Sequence, residues 1–297
     1  MLVNWAYIKR DNFFQRLDPR ARILFMLCCL IALGFIPGGG TGFWDVRIVT
    51  GFLIVALLQI VVAQVTWKQI RRFWILITLI AVMLSLVTLL TGRGATEVYD
   101  VTKERIVWQQ TLDLLGRPVA LALSAERLTF LVTQILRIVT FAALSVVIPY
   151  TIDPAMYGIA FRKLGLGDKI AYAMDLAFRF IPTLGRDMQI IMDAQRARGF
   201  ELDIGKGSNI IQRVRNFAPL LIPLIIGAVV EGEEISDAMD LRAFGIGPRT
   251  WLPTLQYRAV DIIYIALGAL VLAGSIVIKQ AGLGGLWVPP FLAASLL

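Results

Sequence analysis

Apolar residues along this chain gather in five long stretches, at 23–36, 48–65, 73–90, 128–148 and 259–278. A helix needs roughly 20 apolar residues to cross the hydrocarbon of a bilayer, so each stretch predicts a membrane span. The first is short and needs either local thinning of the bilayer or snorkelling of Arg20 and Arg22. Two further stretches, 168–199 and 209–245, have a different pattern. Their first halves are apolar (170–181 and 217–230), and their second halves carry charge at nearly every turn. The first predicts a helix of about 48 Å kinked at Pro182, and the second a helix interrupted near Pro219 and Pro223. Segment 217–230, with two prolines, is too short for a sixth span, and both helices are expected to lie partly in the membrane interface. The fold class expected is an all-α integral membrane protein with about five transmembrane helices plus these long helices.

Basic residues orient the spans. The segment before the first span holds five (Lys9, Arg10, Arg16, Arg20, Arg22), the next connection one (Arg47), the one after it three (Lys68, Arg71, Arg72), and the connection 151–258 thirteen. Cytoplasmic loops carry the excess, so the N-terminus and 151–258 are expected in the cytoplasm. The expected organisation is 1–150 for four spans with an external loop at about 91–127, 151–258 for the cytoplasmic helices, and 259–297 for the last span and tail. Within the external loop, Val98-Tyr99-Asp100-Val101 and Ile106-Val107-Trp108 read as a hairpin, and Gly38-Gly39-Gly40-Thr41-Gly42 as an external turn.

Composition agrees with a bilayer as solvent: of 297 residues, 58% are hydrophobic and 17% charged. The net charge of +8 is spread beside apolar runs, which fits membrane topology better than nucleic acid. Histidine is absent, which excludes Ser-His-Asp and Cys-His triads and histidine-ligated zinc. The two cysteines, Cys28 and Cys29, are adjacent within an apolar run and are expected simply to pack. Catalysis by this chain alone is not expected.

Candidate chemistry lies in a repeat. Asp193-Ala194-Gln195-Arg196-Ala197-Arg198-Gly199-Phe200 and Asp237-Ala238-Met239-Asp240-Leu241-Arg242-Ala243-Phe244 each end a long helix. Both read Asp-Ala, three residues, Arg, a small residue, Phe. Ala194 shares a face with Arg198, and Ala238 with Arg242, so a partner backbone can approach closely beneath the guanidinium. The Asp stands five positions before the Arg, about 140° around the helix, which leaves the arginine free. One alternative is that the arginine complements the helix dipole, with Gly199 as a cap. The other is docking on a partner surface rich in Asp or Glu, which a rigid guanidinium fork suits.

With this repeat the chain resembles the transmembrane T component of energy-coupling factor transporters, the EcfT or CbiQ-like family of ABC importers for vitamins and transition-metal ions. Ala197-Arg198-Gly199 matches the first of that family's two short signatures, whereas Leu241-Arg242-Ala243 keeps only the arginine of the second. Further likeness lies in Leu17-Asp18-Pro19-Arg20-Ala21-Arg22, Arg179-Phe180-Ile181-Pro182, Pro219-Leu220-Leu221 and Asp237-Ala238-Met239. The resemblance implies that Ala197, Arg198, Gly199, Leu241, Arg242 and Ala243 dock on two ABC ATPase subunits. Asp193, Ala194, Asp237, Ala238, Pro182 and Pro223 would support the coupling helices. It also implies a separate small substrate-binding membrane subunit (S component), and ATP and magnesium held by the ATPases, with no cofactor or metal on this chain. The expected location is the cell membrane. The sequence itself agrees on nucleotide: Gly205-Lys206-Gly207-Ser208 lacks the first glycine of a phosphate loop and puts Gly207 directly after the lysine, so it reads as a turn.

A competing reading is a stand-alone secondary transporter using intramembrane Arg137 and Asp261 as coupling charges. Arg137 is otherwise expected to pair with Glu126, Asp261 or another subunit, and Asp175 with Arg179 one turn on. The acidic group Glu231, Glu233, Glu234, Asp237 and Asp240 is spread around its helix and reads as a solvated or basic-partner face rather than a metal site.

Overall fold

The computed structural model describes residues 12–34, 43–91, 106–114, 117–200, 210–247, 251–252, 254–283 and 285–287. The helices are α1 (Phe13–Arg16), α2 (Pro19–Gly34), α3 (Val46–Val62), α4 (Trp67–Thr91), α5 (Ala125–Thr151), α6 (Tyr157–Lys163), α7 (Asp168–Ala197), α8 (Ile210–Leu241) and α9 (Ala259–Gln280). One antiparallel hairpin, β1 (Ile106–Leu114) with β2 (Arg117–Ser124), lies between α4 and α5 and is the one departure from an all-α chain among the described residues. Leu114 pairs with Arg117 at its turn end. A hairpin was expected in this loop between Val98-Tyr99-Asp100-Val101 and Ile106-Val107-Trp108, but the strand that opens at Ile106 pairs instead with Arg117–Ser124, which the sequence reading did not mark. Val98-Tyr99-Asp100-Val101 lies outside the described residues, as do the Gly38–Gly42 and Gly205–Ser208 turns.

The chain divides into two compact units: Pro154–Leu255, and the flanking stretches up to Asp153 and from Gln256. In the flanking unit, α5 packs against α2, α3 and α4, and α9 packs along α2. Phe25, Cys29, Ala32 and Leu33 of α2 meet Val49, Phe52 and Ala56 of α3 and Leu144 of α5 in the main core. Gly268 is where α9 comes closest to α2: a methyl there would sit 3.2 Å from the Phe25 Cα. Both cysteines are free thiols and Cys29 is fully buried in this core.

Among the described residues, three helices are long and apolar enough to cross a membrane, over Trp67–Thr88, Glu126–Thr151 and Ala259–Gln280. Among the described residues, α3 at 17 residues reaches only about 26 Å and falls short of that length, and α2 is described over 16 residues as far as Gly34, so three of the five expected spans are full-length there. Nor do Arg20 and Arg22 snorkel. Both are buried, with 5% and 4% of their surface exposed.

Their burial is compensated by a polar knot at the entry to α2. Pro19 opens the helix, where its missing N–H is no loss, and Asp18 caps it by accepting the Arg20 backbone N–H at 2.9 Å. The same carboxylate takes Arg20 Nε at 3.0 Å and Nη2 at 2.8 Å, while the guanidinium lies 3.8 Å from the Tyr257 ring centre. Arg22 donates to the Thr151 and Leu17 carbonyls at 2.7 and 2.9 Å. Asp261 accepts from the Asp18 and Arg258 backbone N–H groups, both at 2.8 Å, tying the first turn of α9 to that of α2.

The unit Pro154–Leu255 is built on α6, α7 and α8. Helix α6 lies on α7 so closely that a methyl at Gly158 would stand 2.7 Å from the Ala171 carbonyl oxygen. Tyr157 stacks on Phe178 at 5.2 Å. Arg162 pairs with Asp168 and faces the Trp251 ring at 5.4 Å. Helix α8 runs unbroken through Pro219 and Pro223, where an interruption was expected.

Candidate functional site

Each octapeptide folds into the same helix end. At the end of α7, the Phe200 N–H donates to the Gln195 carbonyl at 3.0 Å and the Gly199 N–H to the Arg196 carbonyl at 3.0 Å. At the end of α8, Phe244 donates to the Met239 carbonyl and Ala243 to the Asp240 carbonyl, both at 2.9 Å. These paired six-to-one and five-to-two bonds define a Schellman cap, whose penultimate residue takes a left-handed backbone. Gly199 does so with φ +79° and Ala243 with φ +55°. In both caps the arginine, Arg198 or Arg242, is the cap residue, at the negative end of the helix dipole.

Both arginines are exposed, and among the described residues neither forms an ion pair. Asp193 pairs instead with Arg196 at 3.2 Å, three positions on. Ala194, Ala197, Asp237 and Ala238 are exposed around these ends. Leu241 is 89% exposed and Ile246 84%, so two large apolar side chains flank Arg242 in the open. Pro182 is half-buried within α7 and Pro223 exposed within α8.

The two helices are antiparallel. Near the start of α7, Tyr172 stands 4.6 Å from the Phe244 ring and donates its hydroxyl to Met239 Sδ at 3.6 Å. Near the end of α7, Gln195 Nε2 donates to the Pro219 carbonyl at 3.3 Å. At 1.5 Å per residue these two cross-contacts are roughly 30 Å apart, so Arg198 and Arg242 sit at opposite ends of the pair. Sequence reasoning marked the arginines but missed Tyr172, Gln195 and Met239. The signal was available, because Gln195 and Met239 occupy the same third position of the repeat.

Other expected pairings are corrected. Arg137 pairs with neither Glu126 nor Asp261: it donates to the Gly34 carbonyl at the end of α2 at 3.1 Å, with its guanidinium 4.7 Å from the Trp44 ring centre. Asp261 is engaged by two backbone N–H groups at the helix starts. Among the described residues Asp175 and Arg179 form no ion pair, and the Asp175 Cβ lies against α6, 2.9 Å from where a methyl on Gly158 would stand. Among the described residues no three acidic or thiol groups converge on a metal-binding arrangement.

Membrane-length apolar helices in one unit and a helix pair with matching charged tips in the other define a membrane protein with a distinct polar-tipped helical unit. The model of the CbiQ family, described as cobalt transport protein, matches residues 10–250. The chain is 32% identical to the energy-coupling factor transporter transmembrane protein EcfT of Clostridium kluyveri, over 90% of this chain and 92% of the relative. The corresponding EcfT of Thermosediminibacter oceani is 30% identical over 91% and 95%, and that of Thermotoga maritima 27% over 90% and 90%. The chain belongs to this EcfT/CbiQ family of energy-coupling factor transporter membrane components.

Proposed function

We propose that this chain is the coupling subunit of an ATP-driven importer, carrying motion from two ABC ATPase subunits to a small substrate-binding membrane subunit for vitamin or metal-ion uptake. The observation that carries this reading is the pair of matching caps, each presenting an exposed arginine with no ion pair among the described residues. A single such arginine is accounted for by the helix dipole, but two, held at opposite ends of one rigid pair, suit two similar clefts. The open Leu241 supports docking at the second tip, since a large apolar side chain so exposed gains by being covered. The apolar face of α8, including Ile222, Ile225, Ile226 and Val229, is exposed by 56–59% and suits lipid or the substrate subunit. ATP and magnesium belong to the ATPases, and both tips lie on the cytoplasmic side of the cell membrane, as does the N-terminus.

The test is copurification with both ATPases, with Arg198→Glu and Arg242→Glu made singly and together. Each reversal is expected to weaken binding of one ATPase by at least ~30-fold and to abolish uptake. Unchanged ATPase binding in the double variant, or labelling that puts the two tips across the bilayer from one another, refutes the reading.

A further inference from the structure

A proline cannot donate to the carbonyl four residues before it, so Pro223 leaves the Pro219 carbonyl without its helical partner. A carbonyl left without a partner inside a helix loosens that turn, and this is why an interruption was expected here. The helix nevertheless continues, and the Pro219 carbonyl accepts a hydrogen bond from Gln195 Nε2 at 3.3 Å. The donor comes from the last turn of α7, three residues before Arg198. Gln195 is half-buried, as Pro219 is. At the other tip the corresponding residue, Met239, is likewise held across the pair, by the Tyr172 hydroxyl and beside the Phe244 ring that packs on Tyr172.

We propose that Gln195 is a positioning residue: its amide latches the Arg198 tip of α7 to the carbonyl freed by Pro223 in α8, and so fixes the angle between the two helices. The two fastenings differ in kind. The Arg242 tip is held by a ring contact and a sulfur acceptor, while the polar fastening at the Arg198 tip is a hydrogen bond to a position that proline weakens, beside the buried Leu220. Opening at the Arg198 tip is therefore resisted in part by this side chain, and the proline in α8 serves to present the acceptor. The latch stands on geometry alone; its consequence for transport rests on the coupling reading above.

The experiment is a two-by-two cycle in the full chain, purified with its partners and alone, using Gln195→Leu, Pro223→Ala and the double variant. Pro223→Ala returns a backbone N–H to the Pro219 carbonyl and makes the latch redundant. Hydrogen exchange of the α8 amides at 220–227 is the readout. Gln195→Leu is expected to speed exchange roughly three- to ten-fold in the natural background and by less than about two-fold in the Pro223→Ala background. Equal acceleration in both backgrounds, or none in either, overturns the latch. Uptake by the assembled transporter separates the two readings. A cycle that behaves as expected while Gln195→Leu transports normally removes the latch's role in coupling but leaves ATPase docking by Arg198 intact. Lost ATPase binding in Arg198→Glu with no Gln195 effect on exchange sinks the latch alone.

Discussion

Gly199 and Ala243 hold the same left-handed position in two matching caps, so substituting each toward the other isolates the backbone from its surroundings. In Gly199→Ala the new methyl meets no atom within 4 Å, and its cost is therefore confined to the backbone at φ +79°. A left-handed conformation costs an ordinary L-residue about 1–2 kcal/mol. Ala243 already bears this cost at φ +55°. Ala243→Gly relieves it, but the greater freedom of glycine in the unfolded chain offsets about 0.5–1 kcal/mol, leaving a gain of roughly 0–1.5 kcal/mol. The same offset works in favour of Gly199→Ala, so at 1.4 kcal/mol per factor of ten that change should raise opening of the first cap by up to about 12-fold. Ala243→Gly should lower opening of the second by up to about 12-fold. Residue-resolved hydrogen exchange at the Phe200 and Phe244 amides, the six-to-one donors, reads both directly. Slower exchange at Phe200 in the first variant, or faster exchange at Phe244 in the second, would refute the account of the caps.

The knot at the start of α2 and the α6–α7 seam give two further expectations. Asp18→Ala leaves the buried Arg20 guanidinium without its carboxylate and should cost about 3–5 kcal/mol, whereas Asp18→Asn, which still accepts hydrogen bonds, should cost less; denaturant unfolding in detergent measures the order. Gly158→Ala drives a methyl against the Ala171 carbonyl, which belongs to a helix backbone and cannot rotate away. That should cost about 1–3 kcal/mol and loosen the Tyr157–Phe178 stack, seen as a lower melting temperature and faster proteolysis at 163–168.

Much of the architecture was legible because the signals were local. Helix α7 begins at Asp168, just after Gly165-Leu166-Gly167, and the repeat marked both helix ends because a Schellman cap is written into a few consecutive residues. The free state of Arg198 followed from the 140° offset of Asp193, which pairs with Arg196 instead. What failed depended on distant partners. Pro223 implied a break because its compensating donor, Gln195, belongs to another helix. Arg20 and Arg22 read as snorkelling because their burial is completed by the distant Tyr257 ring and Thr151 carbonyl, beside the local Asp18 carboxylate and Leu17 carbonyl. Asp175 was assigned a neighbour on its own helix, whereas its Cβ lies against α6.

The antiparallel run of α7 and α8 has a mechanical consequence. Two rods fastened side by side at both ends form a strut that resists shortening, so bodies clasping its opposite ends cannot approach along its length. They can only swing about it, so if partners dock at Arg198 and Arg242 as proposed, a closing stroke there would be delivered as torque.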